Sequence, residues 1–531
     1  MALARALAVA VIGITGHLVE VEADLANGIP ALTLVGLPDA ALHEARDRIR
    51  AAIVNAGEAW PNRRITVGLF PATLPKSGSG FDVALAVAVL AAAGAVPAEA
   101  VACRVLIGEL ALDGRVRPVR GVLPAVLAAV AGGTSRVVVP VANAAEAALV
   151  PGAEVEAVAD LAALVRLLRG EPAADALPAA APVATGAAVT GAAVTGSAGP
   201  AGSARLELGD LADVAGQAQG RLALEVAAAG GHHLYMVGPP GSGKTMLAER
   251  LPGLLPRLDG DAALEVTAIH SVAGILPPDT PLVVWPPYRA PHHTATPAAL
   301  VGAGSTVLRP GLASQAHRGV LFLDEAPEFS RIALDALRQP LESGVIELAR
   351  ARVAATFPAR FQLVLAGNPC PCARSSPPRS GRRPACECRS EVRRRYRGRL
   401  SGPLLDRVDL QIELVAPTRA ELRADAGAAS STRTAAGRVR AARAAMTARL
   451  AGTPWRANAE LPGTVLRRSW PLPAATVRPL EQAFETGVLT ARGVDRVLRV
   501  AWTLADLAGA ARPAPEHVGT ALSLRLPGHA E

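Results

Sequence analysis

The order of apolar and polar positions divides the first part of the chain into alternating strands and helices. Residues 19–22 alternate valine with glutamate at a period of two, as a half-buried strand does. Apolar runs that predict buried strands lie at 31–37, 65–69 and 136–140, and helical spacing is found at 40–57 and 81–93. This alternation is typical of an α/β domain, which we place at residues 1–170.

The apolar stretch at residues 1–15 superficially resembles a signal peptide. No small-x-small cleavage site follows it, and the strand-like alternation begins shortly after it. No apolar run reaches the roughly 18–20 residues that are needed to cross a bilayer. We therefore expect a cytoplasmic protein with no membrane segment.

Residues 171–204 predict a disordered linker. The segment contains a tandem GAAVT, and its second half lacks charged and aromatic residues, so it cannot bury enough surface to offset the entropy lost on ordering. Strands and helices alternate again over 205–416. A helical region rich in arginine and alanine occupies 417–531, with the clearest helical patterns at 434–450 and 493–509.

The formal charge of +8 at pH 7 suggests a polyanionic partner, but composition weakens that argument. Of the 54 basic residues only Lys76 and Lys244 are lysines, and the excess of arginine, alanine and proline is typical of a GC-rich genome. The two lysines stand out because an ammonium group and a planar guanidinium are not interchangeable at tight sites.

A phosphate-binding motif follows an apolar strand at 234–237. The segment GPPGSGKT comes directly after this strand, and a helical pattern follows at 246–255. Glycines let backbone N–H groups turn toward phosphates, and the helix N-terminus adds its dipole. Lys244 would contact the β- and γ-phosphates, and Thr245 would bind Mg²⁺. The predicted ATP-binding residues of this loop are Gly238, Pro239, Pro240, Gly241, Ser242, Gly243, Lys244 and Thr245.

A second motif, VLFLDE at 320–325, predicts a buried strand that ends in two acids. Asp324 would also bind the nucleotide and hold Mg²⁺, and Glu325 would activate the attacking water as general base. The strand predicted at 361–366 is followed by Asn368, which we assign as a sensor that positions this water. An exposed acidic turn and an ordinary Asn-Pro turn are the structural alternatives. Together the motifs predict an ATPase that uses ATP and Mg²⁺.

Motifs along nearly the whole chain resemble the ComM/YifB family of bacterial magnesium-chelatase-like AAA+ ATPases. They include VGLPDAALHEARDRIRAAIVNAG, GLFPATLPKSGSGFD, YRAPHHTATPAALVGAGS, PARFQLVLAGNPCPC and RLSGPLLDRVDL. The resemblance implies an α/β chain that works as a hexameric ring. Its parts would be a Lon-protease-like, S5-type α+β domain at 1–170, an AAA+ P-loop core with helix-2 and pre-sensor-1 inserts at 205–416, and a helical C-terminal lid at 417–531.

The resemblance also implies residues that complete the ATPase site. Arg407 matches the family's arginine finger, which would reach the γ-phosphate of a neighbouring subunit; an ion pair with Asp406 or Asp409 is the alternative. Arg492 matches the sensor-2 position at the start of a lid helix. Two further arginines at helical spacing suit that role on charge alone: Arg496 and Arg499.

The N-terminal resemblance does not extend to the Ser–Lys dyad of Lon proteases. Phe81 aligns with the nucleophile, and Leu123 lies near the position of the general base, so neither partner is in place. Ser77 and Ser79 are close enough for a shifted alignment. In the core, Leu312 occupies a position where the family usually has an acidic residue.

Two arginine-rich segments favour DNA as a partner. ELARARVAATF at 347–357 sits where related rings project a hairpin toward the pore, and alternation places Arg350 and Arg352 on one face with Leu348, where they would contact phosphates. Residues 374–399 hold ten arginines against two acids, and Tyr396 among them would stack on a base. The arginines assigned to DNA in this second segment are Arg393, Arg394 and Arg395. A solvated edge strand and a solvated basic loop are the alternatives.

Characterised members of the family are linked to DNA branch migration during natural transformation. The resemblance therefore favours an ATP-driven DNA translocase or helicase. The alternatives are a chelatase-type or a regulatory AAA+ ATPase that remodels a protein partner.

Four of the five cysteines form two C-x-C pairs, which bracket the first part of the second arginine-rich segment: Cys370, Cys372, Cys386 and Cys388. Four thiolates suit a structural Zn²⁺. Reduced thiols are the alternative, since C-x-C is less typical of zinc sites than C-x₂-C. The histidine pairs at 232–233 and 292–293 are assigned no catalytic role.

Overall fold

The computed structural model describes residues 2–36, 40–76, 78–172, 209–277, 281–304, 307–350, 353–372, 386–418, 420, 423 and 430–525. Nearly all of the predicted linker lies outside these residues, as do Ser77 and Arg352. We refer to 2–170 as the N-terminal part, 209–416 as the core part and 430–525 as the C-terminal part.

A seven-stranded mixed sheet organises the N-terminal part. Its strands are β1 (Ala2–Ile12), β2 (Thr15–Ala26), β3 (Ala31–Val35), β4 (Arg64–Phe70), β5 (Val105–Leu106), β8 (Arg136–Pro140) and β9 (Glu154–Val158), in the order β3-β4-β2-β1-β5-β8-β9, and β6 (Glu109–Leu110) and β7 (Val116–Arg117) form a separate pair. β1 is antiparallel to β2 along its whole length and parallel to β5. The apolar start of the chain is therefore an internal strand of this sheet.

Helices cover this sheet: α1 (Ala40–Asn55), α2 (Asp82–Ala92), α3 (Ala98–Ala102), α4 (Val122–Ala131), α5 (Ala144–Ala147) and α6 (Leu161–Arg169), with short 3₁₀ turns at Ser79–Phe81 and Val141–Asn143. Every residue of α2 is buried, as expected for a helix that is apolar on all sides. Phe81 and Leu123 lie in the core. The Ser79 hydroxyl donates to Glu109, and the buried Lys76 ammonium donates to the Pro71 carbonyl.

A five-stranded parallel sheet organises the core part, in the order β11-β14-β17-β10-β18. Its strands are β10 (Leu234–Val237), β11 (Tyr288–Arg289), β14 (Val320–Leu323), β17 (Gln362–Gly367) and β18 (Leu410–Glu413). The predicted strands before the phosphate loop, before the acidic pair and before Asn368 are confirmed. Because β10, β14 and β17 are parallel neighbours, the three loops that follow them meet at one edge of the sheet.

The remaining elements of the core part surround this sheet. They are α7 (Ala218–Gly230), α8 (Lys244–Leu254), α9 (Gly260–Ala273), α10 (Pro297–Val301), β12 (Gly302–Ala303), β13 (Arg309–Pro310), α11 (Leu312–Gln315), α12 (Arg331–Ala336), α13 (Arg338–Ser343), β15 (Val345–Arg350), β16 (Val353–Pro358), α14 (Ser390–Arg397) and α15 (Gly402–Leu405), with 3₁₀ turns at Leu211–Asp213 and Ala326–Glu328. β15 and β16 form an antiparallel hairpin, so the hairpin predicted at 347–357 is confirmed.

The C-terminal part is helical: α16 (Thr432–Leu450), α17 (Gly463–Ser469), α18 (Ala474–Glu485), α19 (Ala491–Leu507) and α20 (Pro515–Ser523), with a 3₁₀ turn at Asn458–Glu460. A buried carboxylate joins it to the core part. Asp409 is fully buried and pairs with Arg496 of α19 at 2.8 Å and with His232 at 3.1 Å. Burial alone would raise the Asp409 pKa, but Arg496 and His232 hold that pKa below its ordinary value.

Among the described residues, the N-terminal part contacts the core part at the end of α9 and at the base of the β15–β16 hairpin. At the end of α9, the Ser271 hydroxyl donates to the buried Glu146 carboxylate, and the Gly121 N–H donates to the Ser271 carbonyl at 3.3 Å. At the β1–β2 turn, Ile12 and Ile14 pack against the apolar cluster that contains the inner face of the β15–β16 hairpin. One contact therefore involves helix α9 and the other involves the β15–β16 hairpin. Neither involves the central sheet of the core part.

Candidate nucleotide site

The phosphate loop lies between β10 and α8 and lines a cavity of about 340 Å³. Gly243 precedes α8 with φ 88°, and no side chain caps the helix, so the first N–H groups of α8 can donate hydrogen bonds to an anion. A Cβ at Gly238 would come within 2.6 Å of the Leu414 carbonyl oxygen. The close approach of this loop to the segment that follows β18 therefore requires glycine.

Lys244 extends from α8 along this loop. Its ammonium donates to the carbonyls of Gly238 at 2.7 Å and Pro239 at 3.0 Å, and to the Asn368 side-chain oxygen at 3.3 Å. All three acceptors are neutral, and burial lowers the Lys244 pKa. A phosphate group would give this desolvated cation the anionic partner that these oxygens do not provide, so the residues fit ATP.

Two side chains with oxygen atoms that can bind a metal ion, Thr245 and Asp324, meet beside Lys244. The Thr245 hydroxyl donates to the Asp324 carboxylate at 2.8 Å, although Asp324 comes from the end of β14. A hydroxyl and a carboxylate in contact are a donor set that suits Mg²⁺. The other Asp324 oxygen accepts the Glu325 N–H at 2.8 Å, so one side chain organises both halves of the site.

Glu325 lines the cavity, and its backbone has an unusual conformation. Its φ is 50°, and among the described residues Arg318 alone shares a positive φ without being glycine. Its carboxylate is 55% exposed and lies 3.5 Å from the Nδ1 atom of His293. Asn368 lies opposite, at the end of β17, and lines the same cavity. The residues predicted for general base and sensor are therefore brought together.

Arg407, the predicted arginine finger, and Arg492, the predicted sensor-2 residue, lie outside the nucleotide cavity. Arg407 is largely buried, donates to the Pro403 carbonyl and pairs with Glu342 of α13. It does not pair with Asp406 or Asp409, the predicted alternative, because Asp406 pairs with Arg492 at 3.1 Å and Asp409 is occupied by α19. Neither Arg407 nor Arg492 lines the nucleotide cavity of its own chain.

The two other sensor-2 candidates face inward. Arg496 is held by the buried Asp409, and burial lowers the Arg499 pKa. Arg492, in contrast, leaves 72% of its side chain exposed at the start of α19. Of the three arginines, it is the most exposed to a neighbouring molecule, although it pairs with Asp406.

The β15–β16 hairpin exposes Arg350 at its tip. Ile346 and Leu348 on β15 are buried and pack with Phe357 of β16, whereas Arg350 lies beyond this apolar base and is exposed. Leu348 and Arg350 were predicted to share one face of the strand. On that face Leu348 lies in the core, whereas Arg350 is exposed to solvent. Arg352 lies outside the described residues.

The second arginine-rich segment includes α14. Arg394 and Arg395 are exposed and Arg393 is half-buried. Tyr396 is only 5% exposed, so the prediction that its ring is available to stack on a base is wrong. The ring packs inward because α14 is amphipathic, with the tyrosine on its buried face.

Two arginines at the end of α14 attach it to the nucleotide site. Arg397 donates to the Pro369 carbonyl at 3.3 Å, one residue after Asn368. Arg399 donates to the Pro327 carbonyl at 3.1 Å and pairs with Glu328 at 2.7 Å, in the turn that follows Glu325. The basic helix is therefore in contact with both loops that carry the predicted catalytic side chains.

The four cysteines form one cluster. Their sulfur atoms lie within 4.8 Å of one another, and the sulfur of Cys370 is 3.0 Å from that of Cys372 and 3.3 Å from that of Cys386. Tetrahedral Zn²⁺ with bonds of about 2.3 Å places sulfurs about 3.8 Å apart, so the arrangement fits a soft divalent cation. The cluster joins the loop after Asn368 to the residues that begin α14, since Cys388 directly precedes Arg389.

Sequence reasoning missed the partners of two site residues. It assigned no role to Glu342, which pairs with Arg407, or to His293, which contacts Glu325. Neither contact has a local sequence signal, because each joins segments that are distant along the chain. The two histidines before β10 make internal hydrogen bonds: His232 bonds Asp409 and Thr503, and the Leu363 N–H donates to His233 at 3.0 Å.

Comparisons with known proteins match this architecture. Family models described as magnesium chelatase, subunit ChlI, match residues 210–422, with related models for subunit ChlI at 21–143 and its C-terminal region at 429–525. YifB of Escherichia coli is 39% identical over 518 residues, which cover 97% of this chain and 96% of YifB. Competence protein ComM of Haemophilus influenzae is 39% identical over 529 residues, 99% of this chain and 98% of ComM. The chain belongs to the YifB/ComM family of magnesium-chelatase-like proteins.

Membership of the YifB/ComM family agrees with the parallel sheet and phosphate loop of an AAA+ ATPase. An uncharacterized protein of Mycobacterium tuberculosis shares 54% identity over 531 residues, 99% of both chains. The magnesium-chelatase 38 kDa subunit of Rhodobacter capsulatus is 26% identical over 227 residues, 40% of this chain. Among the described residues, no helix is both long and apolar enough to cross a membrane.

Proposed function

We propose that this YifB/ComM-family ATPase is a hexameric motor that uses ATP hydrolysis to translocate along DNA. The observation that carries the proposal is the attachment of the basic helix α14 to the nucleotide site through Arg397 and Arg399. A phosphate backbone bound by the exposed face of α14 would therefore be mechanically connected to Glu325 and Asn368. One relative is named a competence protein, which agrees with a role on DNA. Such a motor would act in the cytoplasm.

The side chains at the cavity suit phosphoryl transfer to water. Thr245 and Asp324 would hold Mg²⁺, which would neutralise charge on the phosphates of bound ATP during transfer of the γ-phosphoryl group. Lys244 would place its ammonium on the β- and γ-phosphate oxygens. Glu325 would accept the proton of the attacking water, and the Asn368 amide would orient that water.

The site would be completed by a second subunit. Because Arg407 and Arg492 do not line the cavity of their own chain, we propose that they act at the cavity of a neighbour in the ring. Arg492 is exposed, whereas Arg407 must exchange Glu342 for the neighbour's phosphate. That exchange would make arginine-finger engagement depend on ring assembly.

The four-cysteine cluster would hold a structural Zn²⁺. Cys370 and Cys372 follow the Asn368 loop, and Cys386 and Cys388 precede α14. A metal at this point would tie the predicted sensor to the basic helix. It would have no part in the chemistry of hydrolysis, which takes place at the separate donor set of Thr245 and Asp324.

A protein-remodelling ATPase is the second candidate. Its support is that the matched family models describe magnesium-chelatase subunits along the N-terminal, core and C-terminal parts. In that case the β15–β16 hairpin and α14 would contact a protein partner, and DNA would not change the rate of hydrolysis.

ATP hydrolysis measured with and without single-stranded and forked DNA separates these candidates. A translocase should hydrolyse ATP several-fold faster with DNA. Replacing Arg393, Arg394 and Arg395 by alanine should weaken DNA binding and flatten its dependence on salt, by about 0.7 in the logarithmic slope for each lost contact with a single strand. Arg350→Ala should reduce DNA stimulation and leave basal hydrolysis nearly unchanged, because Arg350 does not touch the cavity.

A charge-matched control uses three exposed arginines of the C-terminal part, Arg433, Arg440 and Arg468. Their replacement by alanine removes the same charge without touching α14. If this control weakens DNA binding as much as the α14 variant, the basic helix is not the binding surface. Hydrolysis that is insensitive to every form of DNA would favour the protein-remodelling candidate.

A further inference from the structure

The loop between β11 and α10 brings a histidine to the predicted general base. His293 places its Nδ1 atom 3.5 Å from a carboxylate oxygen of Glu325, and the histidine is 34% exposed. This loop belongs to the YRAPHHTAT segment and is not part of the phosphate loop or of the strands that carry the acids. Among the described residues, no other side chain lies within hydrogen-bond or ion-pair distance of the Glu325 carboxylate.

We infer that His293 is a positioning residue for Glu325, an inference that rests on the proposed role of Glu325 as general base. The Nδ1–H group of His293 donates to one carboxylate oxygen and leaves the other to accept the proton of water. The separation of 3.5 Å is long for a hydrogen bond, as catalytic contacts often are before substrate binds.

Glu325 needs such a partner because its surroundings do little to orient it. Its backbone is anchored by Asp324 and by the following turn, in which the Glu328 N–H donates to the Glu325 carbonyl at 2.7 Å. Its side chain, however, is 55% exposed, and an exposed carboxylate samples several rotamers. One donor on the far side of the carboxylate restricts this sampling to rotamers that face the cavity.

The ring of the neighbouring histidine, His292, lies beside the ring of His293. The ring centroids of His292 and His293 are 4.1 Å apart. The Nδ1 atom of His292 accepts from the Thr294 hydroxyl at 2.9 Å. His292 therefore supports the loop without touching Glu325, which makes it the matched control.

Steady-state hydrolysis of His293→Ala in the full-length protein tests the inference. The expected result is a kcat that is lower by about tenfold. This loss is a part of the roughly 10²–10⁴-fold rate enhancement that a general base typically provides. KM for ATP should be unchanged, because Lys244 and Thr245 are intact. His293→Asn should recover much of kcat, since its amide nitrogen can occupy the position of Nδ1. His292→Ala should change kcat less than about twofold.

A double-mutant cycle shows whether His293 acts through Glu325. In single-turnover measurements on Glu325→Gln, the further change His293→Ala should cause no additional loss. An equal loss in both backgrounds would overturn the inference, as would a wild-type kcat for His293→Ala. The outcome for Glu325→Gln alone is separate: normal hydrolysis by that variant would overturn the proposed general base itself. Circular dichroism of His293→Asn distinguishes a kinetic effect from misfolding.

Discussion

At the scale of single residues, the edge of the sheet that lines the nucleotide cavity combines a strained backbone at Glu325 with a hydrogen bond to the adjacent Asp324. Glu325 has a left-handed backbone, a conformation that costs a non-glycine residue about 1–2 kcal/mol. The Glu325 N–H donates to the Asp324 carboxylate, which helps to hold this conformation. A strained backbone of this kind is characteristic of functional positions. Lys244 sits on the other side of the cavity among neutral oxygens, where burial has lowered its pKa. We therefore propose that ATP binding and ATP hydrolysis depend on different side chains.

Two substitutions should separate these steps. Lys244→Ala removes the charge-assisted contacts to phosphate and should weaken ATP binding by at least about tenfold. Glu325→Gln keeps the size of the side chain and removes only the base, so it should bind ATP normally and hydrolyse it about 10²–10⁴ times more slowly. Nucleotide binding by fluorescence and phosphate release by a coupled assay measure the two effects. Normal hydrolysis by Glu325→Gln would refute the assignment of the general base.

At the scale of elements, the loop after β17 is connected to α14 by the cysteine cluster and by Arg397. The two C-x-C pairs lie at the two ends of segment 373–385, yet their sulfurs are within 4.8 Å of one another. Four thiols this close repel one another if they ionise, and a divalent cation would remove that repulsion. The position of α14 beside the nucleotide site would then depend on the metal.

The metal proposal predicts about one zinc per chain in protein purified without chelator. Replacing Cys370 and Cys386 together by serine should abolish this zinc and reduce DNA-stimulated hydrolysis, because α14 loses an anchor. Cys103→Ser is the matched control, since Cys103 is exposed and outside the cluster. Elemental analysis by mass spectrometry makes the measurement, and zinc below about a tenth of an equivalent in the unmodified protein would exclude the site.

At the scale of the whole molecule, the proposed catalytic site is shared between subunits, and one chain also contains an internal interface between its N-terminal and core parts. The N-terminal part holds the end of α9 through Glu146 and Ser271 and packs against the base of the hairpin. Movement of α9 or of the β15–β16 hairpin would therefore be transmitted to the N-terminal part through these contacts. The proposed finger Arg407 is meanwhile neutralised by Glu342 within the chain. Assembly would supply what the isolated chain lacks.

Subunit mixing tests the shared site. Arg407→Ala and Lys244→Ala should each be inactive alone, because one lacks the finger and the other the phosphate loop. Their mixture should recover part of the activity, since an Arg407→Ala cavity can receive the intact finger of a Lys244→Ala neighbour. A mixture of Lys244→Ala with Glu325→Gln is the control and should stay inactive, as every cavity is then defective. Inactive Arg407→Ala and Lys244→Ala mixtures with demonstrated subunit exchange would contradict a finger in trans.

Local patterns in the sequence were sufficient for the elements that carry the site. The strands before the phosphate loop, the acidic pair and Asn368 were predicted to within one residue, whereas the hairpin at 347–357 was expected from the family resemblance. These predictions succeed because apolar periodicity and glycine placement reflect interactions between residues that are close along the chain. The phosphate loop is the extreme case, since its chemistry and backbone conformation are encoded in eight consecutive residues.

Tertiary structure decided the contacts that these elements make. The burial of Tyr396, the pairing of Arg407 with Glu342, the approach of His293 to Glu325 and the docking of Glu146 on Ser271 have no local signal. Each depends on which distant segments pack together, and many partners of similar charge exist along an arginine-rich chain. Packing selects one of them, because a buried polar group must find its partner within the few side chains that the fold places around it.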